Sequence, residues 1–255
     1  MPDFRVFCQE PLPNADRIVL SPEESHHLVT VNRARVGDPV VAFDGKGSEW
    51  VTRLTKADKR AAELAVATVK KASKRLCQVT LAQALPKGTA FDAIVKKGTE
   101  LGVACIAPLN TERTQVHLEG GRQDKKNEKW ITAAMEAAKQ CGNPWLPEIG
   151  PLSDVKPFIE KSNHLDEAVP ALRLIASLYP GAVTVKTALA GYRKQHQQLP
   201  REIIWLIGPE GDFTKDELDH ALAHHFVPVT LGPQVLRCET AAVYAVSVIM
   251  HEMQG

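Results

Sequence analysis

The sequence lacks the cysteine arrangements that are typical of zinc-binding and disulfide-stabilised proteins. It has five cysteines in 255 residues, no two of them closer than 28 positions, and no Cys-x-x-Cys pair. Structural zinc sites and redox pairs need thiols at short, regular spacing. The pattern therefore predicts reduced thiols, which is typical of a protein of the cytoplasm.

Long apolar runs and a strong net charge are also absent. No segment approaches the length of a membrane span, and the first residues show no basic stretch followed by an apolar one. We therefore expect neither a membrane span nor a secretory signal, and a cytoplasmic localisation. The formal net charge of +1 provides no overall field that would attract nucleic acid.

Motifs of several common enzyme families are missing. There is no GxGxxG, GxxxxGK[ST] or GxSxG sequence, which excludes the usual dinucleotide, nucleoside triphosphate and hydrolase fingerprints. The pairs His26-His27 and His224-His225 are adjacent, and adjacent residues on a helix point in different directions. We therefore expect no metal site.

The first part of the chain predicts a small β-barrel. Five short apolar runs rich in β-branched residues are typical of strands, and Asp44-Gly45 with Gly47 indicates a hairpin turn. One helix interrupts them, because Ser21-Pro22-Glu23-Glu24 forms a capping box that opens a helical pattern over residues 23–35. The basic stretch Lys70–Cys77 marks the expected domain boundary.

The rest of the chain predicts an α/β domain with a mostly parallel sheet. Five further apolar runs alternate with helical patterns, two of which begin at Thr89 and at a capping box of Thr214 and Glu217. Glu119–Lys129 is a charge run and predicts a solvated loop. It precedes an amphipathic helix with one apolar face, formed by Trp130, Ile131, Ala134, Met135 and Ala138.

Two loops after predicted strands are built alike. "IIWLIGPEGDFTKDEL" and "VTLGPQVLRCETAAVYA" both run from an apolar strand through Gly-Pro into a helix. Ligands of parallel sheets bind beyond the carboxyl ends of the strands, and glycines let the backbone approach a ligand closely. The pair therefore predicts a backbone-lined cleft.

Together these loops resemble the cofactor loops of the SPOUT methyltransferases, and more narrowly the ribosomal RNA small subunit methyltransferase E (RsmE) family. Supporting stretches are "HHLVTVNRARVGDPVVAFDGKG", "KGTELGVACIAPLNTERT" and "EAAKQCGNPWLPEI", so the resemblance covers both domains. It implies a PUA-like RNA-binding β-barrel over residues 1–73. It further implies an α/β-knot methyltransferase domain with a deep C-terminal trefoil knot over residues 74–255, and a homodimer.

The resemblance also implies a reaction. S-adenosylmethionine would donate a methyl group to N3 of a uridine, at position 1498, in the 16S rRNA of the small ribosomal subunit. Arg237 is expected to stabilise negative charge on the uracil carbonyls. Glu239 is expected to act as the base, to orient Arg237, or only to satisfy free N–H groups at a helix N-terminus.

Binding residues follow from the same resemblance. Residues 176–178 are expected to form a third wall of the cleft, and basic side chains of the first domain and beside the cleft are expected to contact phosphates. The RNA-binding candidates are Arg5, Arg33, Lys46, Arg113 and Lys139. The cofactor-binding candidates are Leu206, Ile207, Gly208, Gly211, Leu231, Gly232, Leu236, Arg237, Glu239, Thr240 and Ala241.

Four residues depart from the family pattern: Cys238 replaces Thr, Asp212 replaces Gly, Asn32 replaces an apolar residue, and Asn143 replaces Arg. The last change removes a possible RNA contact. Three alternatives stay open: a SPOUT enzyme that methylates another rRNA or tRNA position, a non-catalytic rRNA-binding assembly factor, and a small-molecule α/β enzyme.

Overall fold

The computed structural model describes residues 4–9, 16–116, 121–162 and 171–253. The chain divides into two compact units, and each has its own hydrophobic core. Unit 1 contains Met1–Lys74 and Met135–Leu146, and unit 2 contains Arg75–Ala134 and Pro147–Gly255.

Unit 1 is built on one curled five-stranded sheet. Its strands are β1 (Phe4–Phe7), β2 (Arg17–Val19), β3 (Pro39–Phe43), β4 (Ser48–Lys56) and β5 (Glu63–Lys71). Their order is β1-β3-β4-β5-β2, and only the β1–β3 pair is parallel. All five lie where the apolar runs predicted strands. Leu28, Leu54 and Leu64 are fully buried in the core that the sheet encloses.

The predicted helix of unit 1 is shorter than the sequence pattern indicated. It forms α1 (Pro22–His26) and then widens into a π-helical turn over His27–Val31, where the Asn32 amide donates to the His27 carbonyl at 2.9 Å. The β-branched residues of this turn have low helix propensity, which accounts for the early end. Residues 33–35 are therefore not helical, contrary to expectation.

The capping box predicted for α1 is only half formed. The Ser21 hydroxyl accepts from the Glu24 amide at 3.2 Å, as expected. The Glu24 carboxylate is buried and engaged elsewhere, because it accepts from the Phe7 amide at 3.1 Å and forms an ion pair with Lys139.

Unit 2 is built on a parallel sheet. Its strands are β6 (Gln78–Ala84), β7 (Cys105–Asn110), β8 (Glu148–Ile149), β9 (Ser153–Asp154), β10 (Leu172–Ala176), β11 (Glu202–Ile207) and β12 (Val227–Val229). The order is β12-β10-β11-β6-β7-β8, with β9 also paired to β7, and every pair is parallel. Apolar clusters cover both faces, which confirms the prediction of a buried parallel sheet.

The remaining helices are α2 (Ala90–Leu101), α3 (Gly121–Cys141), α4 (Val155–Ser162), α5 (Val185–His196), α6 (Lys215–Ala223) and α7 (Cys238–Glu252). The capping box of Thr214 and Glu217 is present in full at α6. The apolar α7 packs along α2 and against β6 and β11, with Ala245 and Ile249 fully buried. Within the described ranges, no helix has the length and apolarity that crossing a membrane requires.

Two predictions about α3 are corrected. Residues 121–129 are helical rather than a loop, while residues 119–120 of the same charge run lie outside the described residues. Lysine, glutamine and glutamate are good helix formers, so a polar sequence can extend an amphipathic helix into solvent. Ile131 is 47% exposed, although Trp130, Ala134 and Ala138 of the expected apolar face are buried.

Candidate active site

A cleft of about 470 Å³ opens at the carboxyl ends of β10, β11 and β12, which are neighbours in the sheet of unit 2. Its size suits a small organic ligand. Three loops supply its walls, one after each strand. The lining residues are Ala176, Ser177, Leu178, Ile207, Gly208, Pro209, Glu210, Gly211, Asp212, Leu231, Gly232, Gln234, Val235, Leu236, Arg237, Cys238 and Ala241.

The loop after β11 turns tightly at Gly208. A Cβ atom there would lie 3.1 Å from Asp212 Oδ1 and 3.3 Å from Asp212 Cα, so glycine allows the loop to fold back on itself. Arg113 holds the loop from outside, since its Nη1 donates to the carbonyls of Gly211 at 2.7 Å and Phe213 at 3.3 Å. A buried strand and an arginine clamp therefore fix this wall.

Two acidic side chains of that loop line the cleft. The Glu210 carboxylate accepts from the Lys87 amide at 2.9 Å. Asp212 has a left-handed backbone with φ +59°, and its Oδ1 accepts from the Phe213 amide at 2.8 Å. Burial raises the pKa of Asp212, although the Phe213 amide and the charge of Arg113 oppose that shift.

The loop after β12 leads into α7. Arg237 is the N-cap residue of that helix, and its exposed side chain forms no hydrogen bond or ion pair with the residues that the structure describes. Cys238 follows as the first helical residue and is buried. Burial raises the pKa of the Cys238 thiol to about 11, with further contributions from the carboxylates of Glu210 and Glu239. This thiol is therefore protonated at neutral pH and is not a nucleophile.

The loop after β10 forms the third wall, where the sequence analysis expected it. The Ser177 amide donates to the Val229 carbonyl at 3.0 Å, which ties this loop to the end of β12. Leu178 is 60% exposed and Val235, on the facing loop, is 78% exposed. The cleft is thus lined by exposed apolar side chains as well as by the acidic groups of the loop after β11.

Most of the expected cofactor-binding residues come together here. Leu206 does not line the cleft, because its side chain is fully buried in the core on one face of the sheet. Glu239 and Thr240 in the first turn of α7 are not among the lining residues either. The residues that do line it are Ile207, Gly208, Gly211, Leu231, Gly232, Leu236, Arg237 and Ala241.

Six lining residues of the two Gly-Pro loops were not predicted from the sequence to bind the cofactor. They are Pro209, Glu210, Asp212, Gln234, Val235 and Cys238. All belong to the two quoted loops, so their position in those loops was the available signal. Which of their side chains face the cleft depends on the backbone turn at Gly208 and on the left-handed conformation of Asp212.

Two of the expected RNA-binding side chains are engaged within unit 1. Arg5 pairs with Glu49 at 2.8 Å, lies 5.0 Å from the centre of the Phe43 ring, and has a side chain that is 10% exposed. Lys139 is buried and forms ion pairs with Glu24 and Glu136, and it is not among the lining residues of the cleft. A free surface cation is therefore not found at either position.

The other RNA-binding candidates are exposed. Arg33 and Lys46 of unit 1 form no side-chain ion pair with any described residue. Arg113 clamps the loop after β11 but remains exposed. Asn143, where the family has arginine, is buried and its Oδ1 accepts from the Trp145 amide at 3.1 Å, so it organises a turn.

Comparisons with known proteins agree with this architecture. The family model "RNA methyltransferase domain" matches residues 72–250, and "RNA methyltransferase PUA domain" matches residues 20–67. The ribosomal RNA small subunit methyltransferase E of Synechocystis sp. is 34% identical over 91% of this chain and 72% of the relative. The Bacillus subtilis protein of the same name is 28% identical over 98% of this chain and 96% of the relative.

Solved structures show the same fold over the whole chain. A Legionella pneumophila methyltransferase in complex with bound S-adenosylmethionine is 30% identical, with a TM-score of 0.85 and coverage of 99% of this chain and 98% of that one. The Neisseria gonorrhoeae ribosomal RNA small subunit methyltransferase E, bound to S-adenosyl methionine, is 25% identical with a TM-score of 0.85 and 98% coverage of both chains. From the matching domains, the level of identity and the coverage, we conclude that the chain belongs to the ribosomal RNA small subunit methyltransferase E family.

Proposed function

We propose that this protein methylates N3 of a uridine, at position 1498, in the 16S rRNA of the small ribosomal subunit, with S-adenosylmethionine as the methyl donor. The observation that carries the proposal is the cleft of three loops at the carboxyl edge of the parallel sheet, in a chain of this family. A ribosomal RNA substrate places the reaction in the cytoplasm.

The cleft fits the proposed donor. The turns at Gly208 and Gly232 carry no side chain into the cleft that they line, and the apolar Ile207, Leu231 and Leu236 can pack against an adenine ring. When bound, S-adenosylmethionine supplies an electrophilic methyl group on a positively charged sulfur. Glu210 and Asp212 provide negative charge that suits such a cation.

Arg237 is the proposed catalytic residue. Uridine N3 must give up its proton to solvent. The electron pair left on N3 would then form the bond to the methyl carbon while the carbon–sulfur bond breaks and its electron pair stays on the sulfur, which becomes neutral. The negative charge that develops on the uracil carbonyls needs a fixed donor, and Arg237 lines the cleft with no partner among the described residues. Glu239 lies in the first turn of α7 and is not among the lining residues of the cleft. This position favours a role in satisfying free N–H groups at the helix N-terminus over a role as the catalytic base.

We propose that the PUA-like domain, residues 1–73 within unit 1, binds the RNA. The exposed Arg33 and Lys46 are the proposed phosphate contacts, with Arg113 beside the cleft. The trefoil knot is part of the same proposal. It rests on the family to which the chain belongs.

Nucleoside mapping of 16S rRNA by mass spectrometry tests the function. Cells that lack the gene should lose one 3-methyluridine, and the intact gene should restore it. An Arg237→Ala copy should fail to restore it, whereas Arg193→Ala, an exposed arginine of α5, should succeed. Persistence of 3-methyluridine without the gene would contradict the proposal and redirect the search to other RNA positions.

Calorimetry separates binding from catalysis. Arg237→Ala should bind S-adenosylmethionine within a few-fold of the parent affinity and lose about 100-fold or more in turnover, as is typical when a charge-stabilising donor is removed. Near-normal turnover in this variant would rule out the charge-stabilising role.

A further inference from the structure

Asp212 is an unusual residue for its place in the cleft. Its backbone is left-handed at φ +59°, a conformation that costs most non-glycine residues about 1 kcal/mol or more but that aspartate and asparagine tolerate best. The carboxylate lies directly over Gly208, the first residue after β11. Glycine would adopt this backbone conformation without strain, so the loop geometry does not explain why an aspartate side chain is present.

The Asp212 carboxylate lines the cleft together with a second acidic side chain, Glu210. Asp212 forms no ion pair with any described residue; burial raises its pKa, and the charge of Arg113 opposes that shift. Its charge contributes, with those of Glu210 and Glu239, to the raised pKa of the Cys238 thiol, which lines the same cleft. A cation that enters the cleft is therefore attracted by these carboxylates, and a neutral group is not.

We propose that Asp212 gives the cleft its preference for the positively charged methyl donor over the neutral product that remains after transfer. The inference rests on the proposed function. S-adenosylmethionine and S-adenosylhomocysteine share the adenosine, ammonium and carboxylate groups and differ in the methyl group and the charge on sulfur. An Asp212 carboxylate near the sulfur binds the donor and loses that attraction when the methyl group leaves, so the product is released.

Asp212→Asn isolates the charge from the shape. Asparagine keeps the side-chain oxygen that accepts from the Phe213 amide and tolerates the left-handed backbone. The Kd for S-adenosylmethionine should rise about five- to tenfold, a modest value for a partly screened charge pair. The Kd for S-adenosylhomocysteine should stay within about twofold, because it lacks the charge on sulfur.

Titration calorimetry on the full chain, with both compounds, tests the proposal. Asp212→Gly removes the charge and the side chain together, and it should show the same loss of preference as Asp212→Asn, because side-chain shape adds nothing to the effect. Asp216→Asn is the matched control, because Asp216 is an exposed aspartate of α6 that pairs with Lys156 and does not line the cleft. This control should leave both Kd values unchanged.

Three other results have distinct meanings. If both compounds weaken equally in Asp212→Asn, the carboxylate contacts a group that they share and the proposal is overturned. If neither weakens, Asp212 only shapes the loop, which overturns it as well. If the parent chain binds neither compound, the proposed function itself fails, so the two failures can be told apart.

Discussion

At the residue scale, Asp212 combines two features that oppose folding. Its backbone is left-handed, and burial raises the pKa of its carboxyl group above the ordinary value of 3.8. Strained or desolvated groups of this kind concentrate at functional sites, where they are kept for binding rather than for stability.

We therefore expect Asp212→Asn to raise the free energy of unfolding at neutral pH. A raised folded-state pKa means that the folded chain binds the proton more tightly than the unfolded chain, so the parent loses stability as pH rises from 3.8 through the folded pKa. The Asp212→Asn variant lacks this carboxyl group. The amount by which its free energy of unfolding exceeds that of the parent should therefore grow with pH over that window and then level off. Urea unfolding across this range measures it, and an advantage that shrinks as pH rises would contradict the prediction.

The cysteines should differ sharply in reactivity. Burial raises the pKa of Cys77 to about 12 and those of Cys105 and Cys238 to about 11, whereas Cys141 is exposed. Only the thiolate reacts with alkylating reagents, so at mildly alkaline pH Cys141 should be modified first.

Peptide mass spectrometry after brief iodoacetamide treatment of the native protein would follow each site. All five cysteines should react in denaturant, which serves as the control. Early modification of Cys238 would show that the first turn of α7 opens readily.

At the element scale, one carboxylate ties the start of α6 to the segment after β7. Glu217 is buried, and its two oxygens accept from the Glu112 amide at 2.8 Å and the Thr214 amide at 2.8 Å. The loop that carries Asp212 lies directly before this helix. The capping box therefore stabilises a helix and also fixes one end of a cleft wall.

Glu217→Ala should lower the local opening free energy of α6 by about 2–4 kcal/mol, because two backbone donors lose their acceptor. Hydrogen exchange of the α6 amides measures this directly. Asp219→Ala on the exposed side of the same helix is the control and should have little effect. Unchanged exchange in Glu217→Ala would mean that water replaces the carboxylate at little cost.

At the scale of the whole molecule, the proposed RNA contacts predict a salt dependence. Each phosphate contact releases condensed counterions. Removing Arg33 and Lys46 together should therefore make the negative slope of log K for RNA binding against log salt concentration shallower by about 1–2. Fluorescence anisotropy with a 16S rRNA fragment provides the slope. Arg17→Ala is the control, because Arg17 is already paired with Glu63 at 2.9 Å. An unchanged slope in the double variant would place the RNA elsewhere.

The proposed homodimer makes a further prediction. Tyr244 is 46% exposed on α7, a helix whose other face is buried in the core, so a partner subunit could cover it. Sedimentation should give twice the chain mass of 27.9 kDa, and Tyr244→Arg should shift the protein toward monomer. Leu199→Arg, which changes a 40% exposed leucine, should not. A monomeric parent protein at all concentrations would contradict the dimer.

The sequence by itself determined the parallel sheet, the two Gly-Pro loops that line the cleft and every strand except the two-residue β8 and β9. These features depend on residues within a few positions of one another, such as the apolar run of β3 or the pairing of Thr214 with Glu217 at α6. The family resemblance of those loops also predicted that Arg237 lies at the cleft. Local patterns failed where they were ambiguous, as in the polar first turns of α3.

Only the tertiary structure decided which charges are free. Lys139 is paired with Glu24, 115 positions away, and Arg113 clamps Gly211, 98 positions away. No local pattern encodes such partners, because they meet only after strands distant in sequence have paired in the sheet. The same holds for Asp212, whose burial and orientation depend on the turn over Gly208. The fold could therefore be predicted from short-range periodicity, whereas long-range packing determines the electrostatics of the site.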